Sequence, residues 1–167
     1  MDFLYEKDEK MKMEKNRVRD LSWSVAGASI GIAIALWLVA DGRSPFLLAS
    51  LGGSTVFLFA LTETEAAQPR ALFGGHLGGA LIGIIAFRFF GDALWVSVFA
   101  VVLTMVFMVI TRTIHPPAGA NPLFMVHNHA GIYVLMKPVL LGVGILFLVA
   151  FVWSRVRPGN SYPMNWR

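Results

Sequence analysis

Residues 94 to 110 run for seventeen positions without a glycine, a proline or a charge. A helix that spans the hydrocarbon core of a membrane needs about 20 predominantly apolar residues. Three more runs approach that length: Ser22 to Ala40, Leu72 to Phe90, and about Tyr133 to Trp153. Trp23 and Trp37 stand near the ends of the first, where interfacial aromatics sit. The runs are continuous rather than alternating, so they specify helices and not the strands of an outer-membrane barrel. Hydrophobic residues make up 56% of the 167 and charged residues 14%, against about a quarter charged in soluble domains. Lipid must therefore solvate much of the surface, and the length suits a single domain.

Two other apolar stretches are short and interrupted. Phe46 to Leu61 contains Gly52-Gly53-Ser54-Thr55. Residues 113 to 126 contain Pro116, Pro117 and Pro122. Those prolines argue against a regular helix through residue 122. A short helix is predicted over 123 to 126, with Asn121 as N-cap and Pro122 at its first position. The spacing thus predicts an all-α polytopic membrane protein with four full transmembrane helices and two broken or half-membrane segments. Their order, full-broken-full twice over, matches a 3+3 inverted repeat, an arrangement that puts binding sites at the broken segments of transporters.

Charge placement fits six crossings. Residues 1–20 form a charged segment with six Lys/Arg and six Asp/Glu. Residues 21–153 form the transmembrane domain, and 154–167 a basic tail. With the N-terminus in the cytoplasm, the inner side collects the basic residues of the head, Arg70, Arg112, Arg155, Arg157 and Arg167. The outer side receives Arg43 and Arg88, as the positive-inside rule favours. We expect an integral protein of a bacterial plasma membrane, with no cleaved signal peptide, since the first apolar stretch starts only at Leu21. The acidic residues of the head cancel any nucleic-acid footprint.

Non-helical backbone at membrane depth survives only inside protein or beside a wet cavity. The segment from His115 to Asn121 is therefore either a sheltered site or an interfacial loop. Gly119 permits close approach, Asn121 both donates and accepts, and His115 can change charge near neutral pH. His76, one turn into an apolar helix, is either bonded to a backbone carbonyl or faces a cavity; lipid contact is excluded by cost. Gly74, Gly75, Gly78, Gly79 and Gly83 suit close helix packing, an oligomer contact included. Arg70 and Arg112 either satisfy the positive-inside rule or attract an anion, for which the guanidinium fork is suited. The chain has no cysteine, so thiolate metal sites and cysteine nucleophiles are absent. His127-Asn128-His129 offers two metal ligands only. Neither a P-loop, a dinucleotide fingerprint nor a nucleophile elbow is present. A membrane enzyme would have to rely on Glu63 and Glu65 with His76.

His115-Pro116-Pro117-Ala118-Gly119-Ala120-Asn121-Pro122-Leu123 resembles the signature of the HPP family, named for its His-Pro-Pro motif. Ala67-Gln68-Pro69-Arg70, followed by Phe73-Gly74-Gly75-His76-Leu77, resembles the family's second signature. Ala49 to Thr55 is similar to its small-residue segment. The resemblance covers about Leu21 to Trp153. It implies a compact integral membrane protein without a soluble catalytic domain and a transporter function, with nitrite transport associated with plastid and cyanobacterial relatives.

Two functions are expected from these readings. The first is a transporter or channel for a small inorganic anion, nitrite-like, working as a homo-oligomer without cofactor, metal or catalytic residues. Its path would be lined by His115, Pro116, Pro117, Gly119 and Asn121 from one half. Gly52, Gly53, Ser54 and Thr55 would face them, with Gln68, Arg70 and Arg112 nearby and His76 or His115 carrying a coupled proton. The second is a non-transporting membrane sensor or scaffold acting through its charged N-terminal segment.

Overall fold

A computed structural model describes residues 2–39, 45–156 and 161–166. Among them are helices and turns and no strand. Helix α1 spans Asp2–Val39 and α2 Pro45–Phe59. Helix α3 spans Pro69–Phe90 and α4 Leu94–Thr111. A 3-10 turn, Pro116–Gly119, leads into α5, Ala120–His127. Helix α6 covers Ile132–Val156. Four stretches are long and apolar enough to cross a membrane: Met13–Val39, α3, α4 and α6. Their outward faces carry large apolar side chains such as Trp37, Phe89, Leu94, Val109 and Ile110, the surface that lipid tails require.

Local chemistry explains the boundaries. Gln68 precedes Pro69, which sits at the first position of α3, where a missing N–H costs nothing. The helix stops at Gly91, whose φ of 80° with ψ of −157° suits glycine alone. Inside α6, Pro138 lies in a π-helical stretch, Leu135–Leu141. Proline removes one N–H and crowds the preceding turn, and a widened turn absorbs both. The helix starts at Ile132, before Pro138, and the proline widens it rather than beginning it.

Two expectations are corrected. Gly52 and Gly53 do not interrupt their segment: α2 is one unbroken helix of 15 residues, short for a crossing but regular. Asn121 is not an N-cap, because α5 begins at Ala120. The prolines are accommodated in turn: Pro116 and Pro117 start the 3-10 turn, and Pro122 falls within the first turn of α5, whose N–H groups have no helical partner anyway. Asp41-Gly42-Arg43-Ser44-Pro45, a sequence expected to break the helix, lies outside the described residues except for Pro45, which opens α2.

Contacts between distant residues fix which helix ends share a face. At the end where the charged head enters, Trp153 Nε1 donates to Trp23 O at 3.2 Å and Tyr162 Oη to Ala67 O at 2.7 Å. Arg70 donates to Thr111 O at 2.8 Å, and His115 Nδ1 lies 2.6 Å from Ala66 O. We call this the head end. At the far end, His129 Nε2 meets Asp92 Oδ2 at 2.8 Å, with the His129 ring stacked on Phe87. That hydrogen bond holds the Asp92 carboxyl below its ordinary range. The proline segment and α5 therefore run from the head end to the far end, and the chain passes between the two ends six times. The segment is about 20 Å long from its 3-10 and α-helical rises, against about 30 Å of hydrocarbon. Lys137, five residues into α6, joins Arg88 toward the far end.

Long-short-long occurs twice, as α1–α2–α3 and α4–α5–α6. Helix α1 packs on α2 and α6, while α4 packs on α5 and α3. Exchanging α1 with α4, α2 with α5 and α3 with α6 maps these contacts onto each other, and each exchanged pair runs in opposite directions. This is the pattern of an inverted repeat.

The glycines of α3 seat neighbours within this chain. A Cβ on Gly74 or Gly78 would strike Thr113 or Phe107, so this stripe receives α4 and its following residues. A Cβ on Gly75, Gly79 or Gly83 would strike His115 and Ala118, Ala118 and Pro122, or Pro122 and Met125. This second stripe, at a spacing of four, is the groove that carries the proline segment. Gly83→Ala would bring a methyl to 2.7 Å from Pro122 Cα, and we expect it to cost about 1–3 kcal/mol. Gly144→Ala meets nothing within 4 Å and should be neutral. Thermal unfolding of both variants in one detergent checks the difference.

Candidate functional site

Four polar side chains from three separate segments meet inside the bundle. Ser54 comes from α2, His76 from α3, and His115 and Asn121 from the proline segment. All four are buried, at no more than 1% exposure. They stand about 10 Å in from the head end, since His76 is seven residues into α3 at a rise of about 1.5 Å each. Each reaches this point for a local reason. The contact of Gly53 with Pro117 brings α2 to the proline turn, and Ser54 follows on the buried side. Gly75 leaves room for the His115 Cβ.

Ser54 Oγ is the hub. It lies 2.8 Å from His76 Nε2, 2.8 Å from His115 Nε2 and 2.9 Å from Ser50 O. The two rings are 5.1 Å apart, and Phe57 packs on His115 at 5.4 Å. Asn121 Nδ2 donates to His76 O at 3.0 Å and faces His76 Nδ1 at 2.9 Å. A carbonyl can only accept, so the nitrogen of the amide must point toward His76. Its second hydrogen then serves His76 Nδ1, which must be bare. Neutral His76 therefore carries its proton on Nε2, facing Ser54. The same logic puts a proton on His115 Nδ1, because Ala66 O opposite it can only accept. Asn121 Oδ1 is left without a partner among the described residues, as is Thr104 Oγ1.

The other residues expected near the path are placed differently. Thr55 Oγ1 turns back to Leu51 O at 2.9 Å. Pro116 is exposed, while a Cβ on Gly52 or Gly119 would meet nothing within 4 Å. Gln68 is buried but faces the tail: its Nε2 donates to Thr62 O and Thr64 O, and its Oε1 accepts from Met164 N and Asn165 N. Arg70 and Arg112 are exposed at the head end, apart from the buried cluster; Arg112 ends α4 with a φ of 55°. His127 is exposed at the opposite end, beside the His129–Asp92 pair.

Tyr162 escaped the sequence reading. It sits in a polar tail with turn residues on both sides, yet it is 1% exposed. Burial pushes its hydroxyl up from the ordinary phenol range. Together with Gln68 it fastens the tail to the loop between α2 and α3. A cleft of about 640 Å³ opens beside it, lined by Asp20, Trp23, Glu63, Thr64, Trp153 and Tyr162 among others. The cleft is at the head-end surface and does not contain the Ser54 cluster.

Removing the hub should be costly. Ser54→Ala deletes three short contacts and leaves ring nitrogens buried without their partner, a loss of about 1–3 kcal/mol. Chemical unfolding of the variant in micelles measures it, with Ser29→Ala on the exposed face of α1 as the neutral control.

The chain matches the family model described as the HPP transmembrane region over residues 13–163. Two transmembrane proteins of Dictyostelium discoideum are similar to it. One is 28% identical over 161 residues, covering 89% of this chain and 56% of its own length. The other is 31% identical over 169 residues, covering 92% and 54%. The chain thus spans about half the length of these curated relatives. No solved structure matches it. With the His-Pro-Pro segment seated on the Gly-Gly-His helix and the family model matching nearly the whole chain, this protein belongs to the HPP transmembrane family.

Proposed function

We propose that this protein is a transporter or channel for a small inorganic anion, nitrite-like, and not an enzyme. The observation that carries the reading is the Ser54–His76–His115–Asn121 cluster, buried where two half-length helices cross. Polar side chains at membrane depth are costly and mark solute pathways, and paired short helices from inverted halves mark binding sites. The cluster is closed to solvent, so a solute would pass only when α5 shifts against α2. Asn121 Oδ1 and Thr104 Oγ1, both buried without a partner among the described residues, are polar points that such a shift would offer. Arg70 and Arg112 at the head end would raise the local anion concentration by their field. We infer a bacterial plasma membrane with the head end in the cytoplasm, from the basic residues gathered there, and a homo-oligomer, from the small number of helices available to enclose a pore.

One observation favours the second reading, a sensor or scaffold. Helix α1 continues without a break from Asp2 into the membrane span, so a partner held by the head would act directly on the bundle. Removing residues 2–12 separates the two: transport survives the deletion, whereas partner binding does not.

Purified protein in liposomes should move nitrite, nitrate or a related anion faster than empty liposomes. Asn121→Leu should abolish the flux, and Arg112→Gln should lower it about tenfold or more at low salt, with the difference shrinking as salt screens the charge. Flux is read with an anion-selective electrode, and folding of each variant by gel filtration. No flux from the wild type across the panel would refute the reading.

A further inference from the structure

The Ser54 cluster is one hydrogen short. Three short contacts converge on Ser54 Oγ, from Ser50 O, His76 Nε2 and His115 Nε2. A hydroxyl has one hydrogen to give and two lone pairs to receive. His76 supplies a hydrogen from Nε2, because Asn121 claims its Nδ1 as an acceptor. Neutral His115 has its only hydrogen on Nδ1, directed at Ala66 O. Two acceptors remain, Ser50 O and His115 Nε2, and only the Ser54 hydrogen is left to serve them. With both rings neutral, one of the three contacts is therefore acceptor against acceptor at less than 3 Å.

A single added proton removes the conflict. Placed on His115 Nε2, it donates to Ser54 Oγ. The Ser54 hydroxyl then turns its hydrogen to Ser50 O and receives from both rings. Every contact of the hub becomes a donor–acceptor pair, and no heavy atom moves. A proton placed on His76 Nδ1 has the opposite effect: it opposes the Asn121 N–H and expels the amide from both of its bonds. The geometry points to His115 as the residue that takes up a proton, to Ser54 as the hydroxyl that accepts its hydrogen bond, and to Asn121 as the residue that keeps His76 neutral.

The surroundings agree. Among the described residues, the side chains touching His115 are Ser54 and Phe57 from α2 and His76 from α3, with the Ala66 carbonyl from the α2–α3 loop. His76 is the only other titratable group in contact, and no carboxylate reaches the cluster. The charge gained on His115 is therefore uncompensated among the described residues. Burial disfavours a charged ring that has no counter-charge, so His115 gains its proton most readily when a small anion enters beside it, and uptake of the two is linked. This deepens the transport reading by naming the residue that carries the coupling proton, and it makes the coupled pair net neutral.

Two measurements test it separately. In the first, protein labelled with nitrogen-15 histidine is placed in lipid nanodiscs and titrated from pH 8 to pH 4 by NMR, with His115→Gln and His76→Gln used to assign the signals. The expected result is that the His115 ring acquires two protonated nitrogens, while His76 stays the Nε2–H tautomer with a bare Nδ1. Adding nitrite should raise the protonated fraction of His115 at fixed pH. In Asn121→Asp, a carboxylate facing His76 should draw the charge onto His76 instead. A wild-type His76 that protonates before His115, or a His115 that never protonates in the range, overturns the assignment. In the second, wild-type liposomes loaded with a pH dye should acidify as the anion enters, with flux rising on external acidification; in His115→Gln that rise should be lost. An unchanged acid response in His115→Gln overturns the coupling role. If the wild type moves no anion, the transport reading falls alone, because the NMR titration still decides which ring holds the proton.

Discussion

A backbone that cannot form a full-length helix must hide its polar groups from lipid, and the glycine groove of α3 is what allows this chain to do so. Each unpaired N–H or C=O exposed to hydrocarbon costs several kcal/mol. The segment after α4 begins with extended backbone and a 3-10 turn. It survives because Gly75, Gly79 and Gly83 let it approach to backbone contact along one face of α3. On its other side Pro117 rests on Gly53 of α2. A Cβ at Gly83 would come to 2.7 Å from Pro122 Cα and force the segment to shift, and at Gly53, Gly75 or Gly79 it would crowd the segment at 3.0–3.1 Å.

Burying that segment also buries its polar side chains, and the rest of the site follows. His115 and Asn121 are fully buried, and they bond with Ser54, His76 and two carbonyls. The directions of those bonds are set by groups that only accept, Ala66 O and His76 O. A network with fixed direction and no spare donor behaves as a unit: altering the protonation of one ring alters the partners available to all four residues. The same interactions that hold α5 to α2 and α3 are the ones a solute or a proton would have to exchange. Fold stability and any transport step therefore draw on the same few contacts.

The long spans were legible from the sequence because length and composition alone specify them; Leu94–Thr111 is the clearest case. The pairing of the short segments was also legible, since both carry small residues and too few apolar positions to cross at full length. The regularity of α2 was not, because glycine's low helix propensity argued for a break that packing against Pro117 and Leu51 against Gly142 overrides. Asn121 read as a helix cap for the good reason that its type and its proline neighbour fit one, but its side chain does more by clamping His76. Ser54 was expected to face His115 and Asn121 across a path, with His76 at hand, but the direct bonds that join the four were not legible. Residues 61 positions apart, as Ser54 and His115 are, meet through topology and not through local pattern. Gln68 and Tyr162 show the same limit: Tyr162 bonds Ala67 across 95 positions and Gln68 bonds Met164 across 96.

In this fold the His-Pro-Pro segment runs through the bundle from the head end to the far end, which in a bilayer is a crossing from one face to the other. The natural chain has no cysteine, so single cysteines can be read without background. Arg112→Cys and Asn128→Cys, both on exposed positions flanking the segment, can be labelled in sealed vesicles with a membrane-impermeant maleimide applied from either side. Labelling of the two positions from opposite faces is what this account predicts. Labelling of both from one face would mean that the segment returns to its starting side, and the sheltered crossing would not exist.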